Sequence, residues 1–197
     1  LRDVYKRQVS LVIGALIGIP LGILLVVTRK SGIWPNTILH QVLNPIINIL
    51  RSIPFIILLI DIVPFTKLLV GTSIGTTAAI VPLTVYVAPY IARLVENSLL
   101  EVDDGIIEAA KAMGASPLQI MRYFLLPEAL GSLILAITTA IIGLIGSTAM
   151  AGAVGGGGIG DLALVYGYQR VDTIVIVITV IVLIIIVQII AVSYTHL

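Results

Sequence analysis

The sequence predicts an all-α integral membrane protein with about five transmembrane helices, and three observations indicate this class. Apolar residues occupy 59% of the 197 positions and charged residues only 11%, whereas soluble domains carry roughly 25% charged residues. The mean hydropathy is +1.18. Several apolar runs also approach the length of about 20 residues with which a helix crosses the hydrocarbon core of a bilayer. Membrane lipid is therefore the expected surrounding of the chain.

Composition also excludes several kinds of partner and site. The formal net charge is +1, and the basic residues form no cluster that would neutralise a run of phosphates, so no nucleic-acid partner is expected. The chain has no cysteine and only two histidines. Disulfides and thiolate sites are thus impossible and a histidine metal site is disfavoured, so we expect no metal in this chain.

The first predicted span covers residues 9–28, which carry no charge. Gly14, Gly18 and Gly22 recur at every fourth position and so share one face of the helix. Stripes of small residues allow helices to approach closely in lipid. The sequence therefore predicts a tight helix–helix contact along this face.

The second span is less regular. Residues 34–51 alternate apolar and polar side chains with roughly helical spacing, which is compatible with a helix lying partly along the membrane interface. Residues 53–65 form a short apolar stretch that contains Asp61 and is punctuated by Pro54 and Pro64. We predict the second membrane helix here, with residues borrowed from one side to complete the span.

Three further spans follow. Residues 76–91 predict a third helix, kinked at Pro82 and Pro89, with Arg93 and Glu96 marking its exit to water. The fourth and fifth spans, residues 130–150 and 174–192, contain no charged side chain. Between these two, the glycine-rich residues 152–160 serve either close backbone packing or as a flexible gate near a pore.

The distribution of basic residues predicts the orientation. Arg93, Lys111 and Arg122 lie between the third and fourth spans, and Arg29 and Lys30 follow the first. The positive-inside rule then places the third-to-fourth connection in the cytoplasm and the native amino terminus outside. We expect a single transmembrane domain over residues 9–192 and non-native ends at residues 1–8 and 193–197. The first of these stretches is charged and runs into the apolar helix pattern without a plausible start, and the second cuts the last helix off abruptly.

The cytoplasmic connection, residues 103–126, is too long for a simple turn and is patterned as two short helices at a corner. Asp103 or Asp104 can cap the first helix, and Gly114 can end it in a left-handed conformation. The predicted apolar face of this helix consists of Ile106, Ile107, Ala110 and Met113.

The second helix of this connection has a specific start signal. Ser116, with Gln119 three residues later, fits a capping box, and Pro117 occupies the first helical position. A bent, half-apolar hairpin beside a membrane is suited to dock against another protein. The alternative is an amphipathic helix that rests on the lipid headgroups.

Residues of this connection, together with Pro127 directly after it, resemble a family signature. Glu-Ala-Ala, Gly and Leu-Pro occur as in the permease subunits of ABC importers, at Glu108, Ala109, Ala110, Gly114, Leu126 and Pro127. Phe124 replaces the aliphatic residue usual at its position. The runs RSIPFIILL at residues 51–59, VGTSIG at 70–75 and VPLTV at 81–85 are similar to the methionine importer permeases in particular.

The resemblance implies a multi-pass subunit of the bacterial cytoplasmic (inner) membrane that imports methionine as a homodimer. It also implies two copies of an ATP-binding subunit and an extracytoplasmic substrate-binding lipoprotein. The chain has no glycine-rich loop ending in Gly-Lys-Ser or Gly-Lys-Thr, so ATP hydrolysis is expected in the partner. We expect no catalytic residue and no cofactor in this chain, since ATP and Mg belong to that partner.

The resemblance implies that the six signature residues, together with Ser116, contact or position the ATP-binding subunit. We therefore call residues 103–126 the coupling hairpin. Glu108 then meets a polar or basic surface of that subunit. Its alternative role is within the capping and dipole balance of its own helix.

Residues for the substrate pathway are less specific. Arg51 and Asp61 are the charges nearest to apolar spans, where a charge at mid-bilayer costs roughly 2.5 to 3.5 kcal/mol on insertion scales. Arg51 is interpreted either as a snorkelling residue, whose charge reaches the membrane interface, or as a substrate ligand. Asp61 is interpreted as a group near the outer mouth of the pathway. Polar groups that would suit a zwitterionic amino acid, or merely pack helices, are Ser52, Thr84, Tyr86, Ser147 and Thr148.

Other functions remain open at this stage. A permease for another small or polar amino acid would carry much the same coupling hairpin. A membrane-embedded enzyme would need clustered nucleophiles, bases or metal ligands within the spans, and no such cluster is evident in the sequence. An ion channel or a structural membrane protein would have no use for a capped hairpin bearing Glu108 and Gly114.

Overall fold

The computed structural model describes residues 2–195, and in this range the chain forms helices and turns without a β-strand. The helices are α1 (Arg2–Val27), α2 (Thr37–Ser52), α3 (Phe55–Asp61), α4 (Val63–Val70), α5 (Thr76–Leu100), α6 (Asp104–Ala112), α7 (residues 117–128), α8 (Leu130–Met150), α9 (residues 159–168) and α10 (Thr173–Thr195). Wide π-type turns form Ile120–Leu125 of α7 and Leu162–Tyr168 of α9. A 3-10 turn, Ala151–Val154, follows α8.

Four described helices are long and apolar enough to cross a membrane: α1, α5, α8 and α10. A fifth span results if α2 and α3 are taken as one helix bent by 101°. The predicted all-helical membrane fold with about five spans is therefore confirmed. The two ends lie partly outside the described residues, and whether they are native stays a prediction.

The second span, if α2 and α3 form one, takes the predicted stretch only as far as Asp61 and borrows the whole of α2 on its amino-terminal side. The segment over residues 34–51 forms the regular helix α2, whereas residues 53–65 are divided between α3 and α4. Pro54 precedes α3 and Pro64 lies in the first turn of α4. Because proline has no amide hydrogen to donate, each favours a new helix start over a continuous helix.

The predicted glycine contact is confirmed. α1 and α5 run side by side in the same direction, and a Cβ atom on Gly18 would lie 2.5 Å from the carbonyl oxygen of Ala88. The same construction on Gly22 gives 2.5 Å to the carbonyl oxygen of Ala92. Only hydrogen fits at these positions, so the backbones approach more closely than larger side chains would permit.

The helix α5 is the centre of the bundle. Its buried side chains contact α1 on one side and α8 on the other, and Ser98 Oγ donates a hydrogen bond of 3.0 Å to the Ser132 carbonyl of α8. The helix continues to Leu100, so the prediction that Arg93 and Glu96 mark its exit to water is wrong. Glu96 is only 5% exposed because it is paired with Arg93 inside the bundle.

The glycine-rich segment after α8 packs tightly against the rest of the chain. A Cβ atom on Gly160 would overlap the carbonyl group of Ala149, and one on Gly152 would overlap the backbone at Asp161. At these two positions the structure supports close packing, the first of the two alternatives for this segment.

Candidate coupling and pathway sites

The coupling hairpin has the two-helix form that its sequence predicts. Asp103 caps α6, because its Oδ1 accepts a hydrogen bond of 2.7 Å from the Gly105 amide, while Asp104 lies in the first turn. At the other end, Gly114 has φ of 78°, in the left-handed region. The Gly114 amide donates to the Lys111 carbonyl at 3.0 Å. These are features of a Schellman-type helix end.

The start of α7 is a complete capping box. The Ser116 hydroxyl accepts from the Gln119 amide at 3.4 Å, and the Gln119 side chain accepts from the Ser116 amide at 2.8 Å. Pro117 occupies the first turn without loss of an internal hydrogen bond. The corner between α6 and α7 is thus fixed by hydrogen bonds on both sides.

One face of α6 attaches the coupling hairpin to the bundle. Ala110 is fully buried, and Ile106 and Ile107 pack against the core cluster that includes Leu99 of α5 and Leu125 of α7. The coupling hairpin and the end of α5 thus share one apolar cluster.

Met113 was wrongly assigned to the buried face of α6. Its side chain is 69% exposed. The reason is that Met113 directly follows α6, which ends at Ala112, so the chain there departs from helical geometry and no longer follows the helical face.

The signature residues divide into exposed and buried groups. Glu108 and Ala109 are exposed on α6, next to the buried Ala110, and Pro127 is exposed on α7. Leu126 is half-buried and packs against the core cluster. The exposed side of α6 is therefore open for contact with another protein, while the buried residues fix its position.

Glu108 lies beside a cleft of about 350 Å³ between the end of α1, the end of α5 and α6. Arg29 and Lys111 line the same cleft. Lys111 follows Glu108 by three residues on α6, so the two charges are neighbours on the helix surface. This carboxylate therefore has basic residues of its own chain nearby, and both roles considered for it remain compatible with the geometry.

The predicted pathway residues occupy three separate places. The first is the bend between α2 and α3: Arg51 and Ser52 are exposed in the last turn of α2, and the Ser52 hydroxyl donates to the Asn48 carbonyl at 2.8 Å. Asp61 is exposed at the end of α3. The charged groups of this region are therefore available to solvent or to another chain.

The second place is the middle of α5. The ring of Tyr86 packs edge-on to Phe55 of α3, with 5.2 Å between the centroids, and stacks at 6.3 Å on Tyr90. Thr84 Oγ1 is buried and has no hydrogen-bond partner among the described residues. Tyr86 thus belongs to an aromatic contact between helices.

The third place is α8. Ser147 and Thr148 are both buried, and their hydroxyls donate to the carbonyls of Gly143 and Ile145 at 3.1 and 2.8 Å. Hydroxyls bonded to their own helix are already satisfied and do not need a ligand. The structure does not bring these two residues together with Arg51 or Thr84 into one site.

Sequence reasoning missed a polar cluster between α2 and α5. Arg93 bonds Glu96 through Nη1, and through Nη2 it bonds the side-chain oxygens of Asn44 and Asn48. The available signal was the spacing of the two asparagines, four residues apart in a segment that reaches to Arg51. It was interpreted as an interfacial helix, so its polar face was not related to α5.

Comparisons with known proteins agree with this architecture. The family model for the binding-protein-dependent transport system inner membrane component matches residues 18–196. A probable D-methionine transport system permease protein MetI from Vibrio cholerae serotype O1 is 50% identical over 189 residues, covering 96% of this chain and 84% of that protein. The D-methionine transport system permease protein MetI from Escherichia coli K12 is 58% identical over 139 residues, 71% of this chain and 64% of that protein.

Solved structures with a similar fold include chains of two transporters. A chain from inward-facing conformations of the MetNI methionine ABC transporter has a TM-score of 0.95 and 49% identity, covering 99% of this chain and 90% of that chain. A chain of an amino acid ABC transporter with histidines shares the fold, with a TM-score of 0.75 and 19% identity. With its helical bundle, its coupling hairpin and a family match over most of its length, the chain belongs to the family of binding-protein-dependent transport system inner membrane components.

Proposed function

We propose that this chain is the membrane-spanning subunit of an ABC importer that carries methionine across the bacterial cytoplasmic membrane. The observation that carries the proposal is the coupling hairpin. Its helix α6 exposes Glu108 and Ala109 to solvent, while the neighbouring Ala110 is buried. The names of the relatives and the similarity to the MetNI transporter chain support methionine as the substrate.

The functional assembly contains a second copy of this chain, a pair of ATP-binding subunits and an extracytoplasmic binding protein. The exposed side of α6 is the proposed contact with the ATP-binding subunit. The family description, which specifies dependence on a binding protein, supports the third partner. ATP and Mg are bound by the partner, and this chain contributes no catalytic group.

The proposed mechanism is mechanical. ATP binding closes the pair of ATP-binding subunits, and each docked α6 moves with its partner. Because Ile106 and Ile107 pack in the same cluster as Leu99, the movement is transmitted to α5. The caps at Asp103 and Ser116 keep the hairpin rigid enough to transmit it. The two permease copies then expose the pathway alternately to the two sides.

Uptake into proteoliposomes tests this function. A full-length permease is reconstituted with its ATP-binding subunit and binding protein, and uptake of labelled methionine is measured with and without ATP. We expect ATP-dependent methionine uptake that unlabelled methionine competes away. If ATP drives uptake of another small or polar amino acid instead, the transporter class stands and the substrate is wrong. ATP hydrolysis without any amino-acid uptake would contradict the function itself.

A charge-neutral variant tests the coupling role of Glu108 in the same system. Glu108→Gln removes the charge from the exposed side of α6 and is expected to lower ATP-dependent uptake. Glu128→Gln makes the same change at an exposed position on α7 and serves as the control. Equal uptake by both variants would favour the role of Glu108 within its own helix.

A further inference from the structure

The helix α2 carries a polar stripe that does not suit a lipid environment. Its polar side chains recur three or four residues apart and so lie on one face; they are Thr37, His40, Gln41, Asn44, Asn48, Arg51 and Ser52. The other faces expose apolar side chains such as Ile46 and Ile49, at 48% and 63%. Hydrocarbon tolerates these two isoleucines but not exposed amide and guanidinium groups.

The middle of the stripe lies alongside two candidate membrane-spanning helices. Ile47 of α2 is buried against Leu25 of α1 and Ala92 of α5, both of which belong to candidate spans. The exposed members of the stripe must therefore face either water or another protein chain. In a transporter, a polar face at this depth is suited to border the substrate pathway.

Arg93 connects this stripe to α5. Its Nη2 donates to Asn44 Oδ1 at 2.7 Å and to Asn48 Oδ1 at 2.6 Å, and its Nη1 donates to Glu96 Oε2 at 2.6 Å. The side chains of Arg93 and Glu96 are only 17% and 7% exposed. Arg93 and Glu96 therefore form an ion pair without net charge next to the two asparagines.

This arrangement fixes the direction of both amide groups. A guanidinium group has only donors, so each asparagine must turn its oxygen toward Arg93. The two NH₂ groups consequently point away from Arg93, and in residues 2–195 neither has a hydrogen-bond partner. Asn48 is exposed and Asn44 half-buried. Positions four residues apart on a helix are neighbours, about 5 to 6 Å between Cβ atoms.

We propose that the amide nitrogens of Asn44 and Asn48, oriented by Arg93, bind the α-carboxylate of the transported amino acid on the polar stripe of α2. This inference rests on the proposed function and names where that substrate is recognised within the membrane. Arg93 is a positioning residue, because it acts through the two amides. Two neighbouring N–H donors suit the two acceptor oxygens of a carboxylate.

The absence of net charge at the cluster fits the zwitterionic state of the substrate. Glu96 offsets the charge of Arg93, so the site does not select for a ligand with net negative charge. Binding by neutral amides is also weaker than binding by a free guanidinium group. A transport site needs this property, since the substrate must leave as well as enter.

A purely structural role for the cluster makes a different prediction. If Asn48 only fastens α2 to Arg93, its oxygen is the important atom. Asn48→Asp keeps an oxygen acceptor for Arg93 but replaces the NH₂ donor with a second oxygen, which repels a carboxylate. The variant therefore preserves the structural contact and removes the proposed ligand contact. Gln41→Glu adds the same charge to the same stripe outside the Arg93 cluster and is the matched control.

Substrate binding is measured by protection of a reporter cysteine. The chain contains no cysteine, so Ser52→Cys, one turn beyond Asn48, gives a single thiol on the stripe. Ile49→Cys is the control on a lipid-compatible face. The complex with the ATP-binding subunit is purified, exposed to a charged methanethiosulfonate reagent, and labelling of this chain is read after gel separation.

We expect Ser52→Cys to be labelled, methionine to slow the labelling, and methioninamide, which lacks the carboxylate, to give little protection. In the Ser52→Cys background, Asn48→Asp should raise the methionine concentration for half protection at least about tenfold, without lowering the melting temperature. Gln41→Glu should change it little, and Ile49→Cys should label slowly and without protection.

Two results would overturn the inference: protection by methionine that is unchanged in Asn48→Asp, or equal protection by methioninamide. The outcome is separable from that of the proposed function. If the unsubstituted transporter takes up methionine and Asn48→Asp retains full protection, only the carboxylate site fails. If uptake identifies another amino acid, the protection series is run with that amino acid and its amide. If no amino acid is transported, both proposals fail.

Discussion

The amide of Ala115 donates a hydrogen bond of 3.1 Å to the carbonyl oxygen of Ala110, across the left-handed residue Gly114. This bond closes α6 and sets the direction in which the chain enters α7. Ala110 is at the same time fully buried, whereas its neighbour Ala109 is exposed. Ala110 therefore stabilises the shape of the coupling hairpin, and Ala109 forms part of its exposed surface.

Substitution of either alanine by a larger residue should impair the permease, but for different reasons. Ala110→Leu forces a larger side chain into a filled position and should destabilise the permease by about 1 to 3 kcal/mol, seen as a lower melting temperature in detergent. Ala109→Leu should leave the melting temperature unchanged but weaken co-purification of the ATP-binding subunit. A lower melting temperature for both variants, or for neither, would contradict this division of roles.

Glycine should be required at position 114 because of its backbone conformation and not because a side chain would clash there. A Cβ atom at this position meets nothing within 4 Å, but φ is 78°. Left-handed geometry costs a residue with a side chain roughly 1 to 2 kcal/mol, and asparagine tolerates it better than most. We expect ATP-dependent uptake to fall in the order Gly114, Gly114→Asn, Gly114→Val.

The matched control is Gly131→Ala, at another position where nothing lies within 4 Å of the added Cβ. Gly131 is in a regular helix, where alanine is favoured over glycine. Its uptake should equal that of the unsubstituted protein. If Gly114→Val also transports normally, the left-handed helix end is not needed for coupling.

The capping box should determine how firmly α7 starts. Ser116→Ala removes the acceptor for the Gln119 amide and should cost about 1 kcal/mol, whereas Ser116→Thr keeps a hydroxyl. Hydrogen exchange measured by mass spectrometry should therefore accelerate at the start of α7 in Ser116→Ala and remain near normal in Ser116→Thr. Similar exchange in the two variants would show that the cap contributes nothing to the stability of this corner.

The hairpin was predictable because its signals are local. The caps at Asp103 and Ser116 and the stop at Gly114 involve residues at most a few positions apart, and local hydrogen bonding decides them. The four long spans were predictable for a similar reason, since each is a continuous apolar run. Met113 was misplaced because the helix ends one residue before it.

The second span and the Arg93 cluster were not predictable in the same way. Whether residues 34–51 lie along the membrane or within it depends on contacts with α1 and α5, which a single segment does not reveal. Arg93 and Glu96 were read as leaving the membrane because charges in hydrocarbon are costly. Their mutual ion pair and the hydrogen bonds from Arg93 to the two asparagines of α2 remove that cost. Asn44 and Asn48 lie 49 and 45 positions away from Arg93 in the sequence.

The contact between α1 and α5 gives the last prediction. Gly18→Val would place a side chain where even a Cβ atom lies 2.5 Å from the Ala88 carbonyl oxygen and 2.9 Å from Ile91 Cβ. The two helices must separate to admit it, and the lost packing should lower the melting temperature of the purified permease clearly. Gly146→Val, on α8, makes the same change where nothing lies within 4 Å. It carries the same change in intrinsic helix propensity from glycine to valine, so the difference between the two variants isolates the packing contribution. Equal melting temperatures would mean that the glycine stripe does not determine how closely these helices pack.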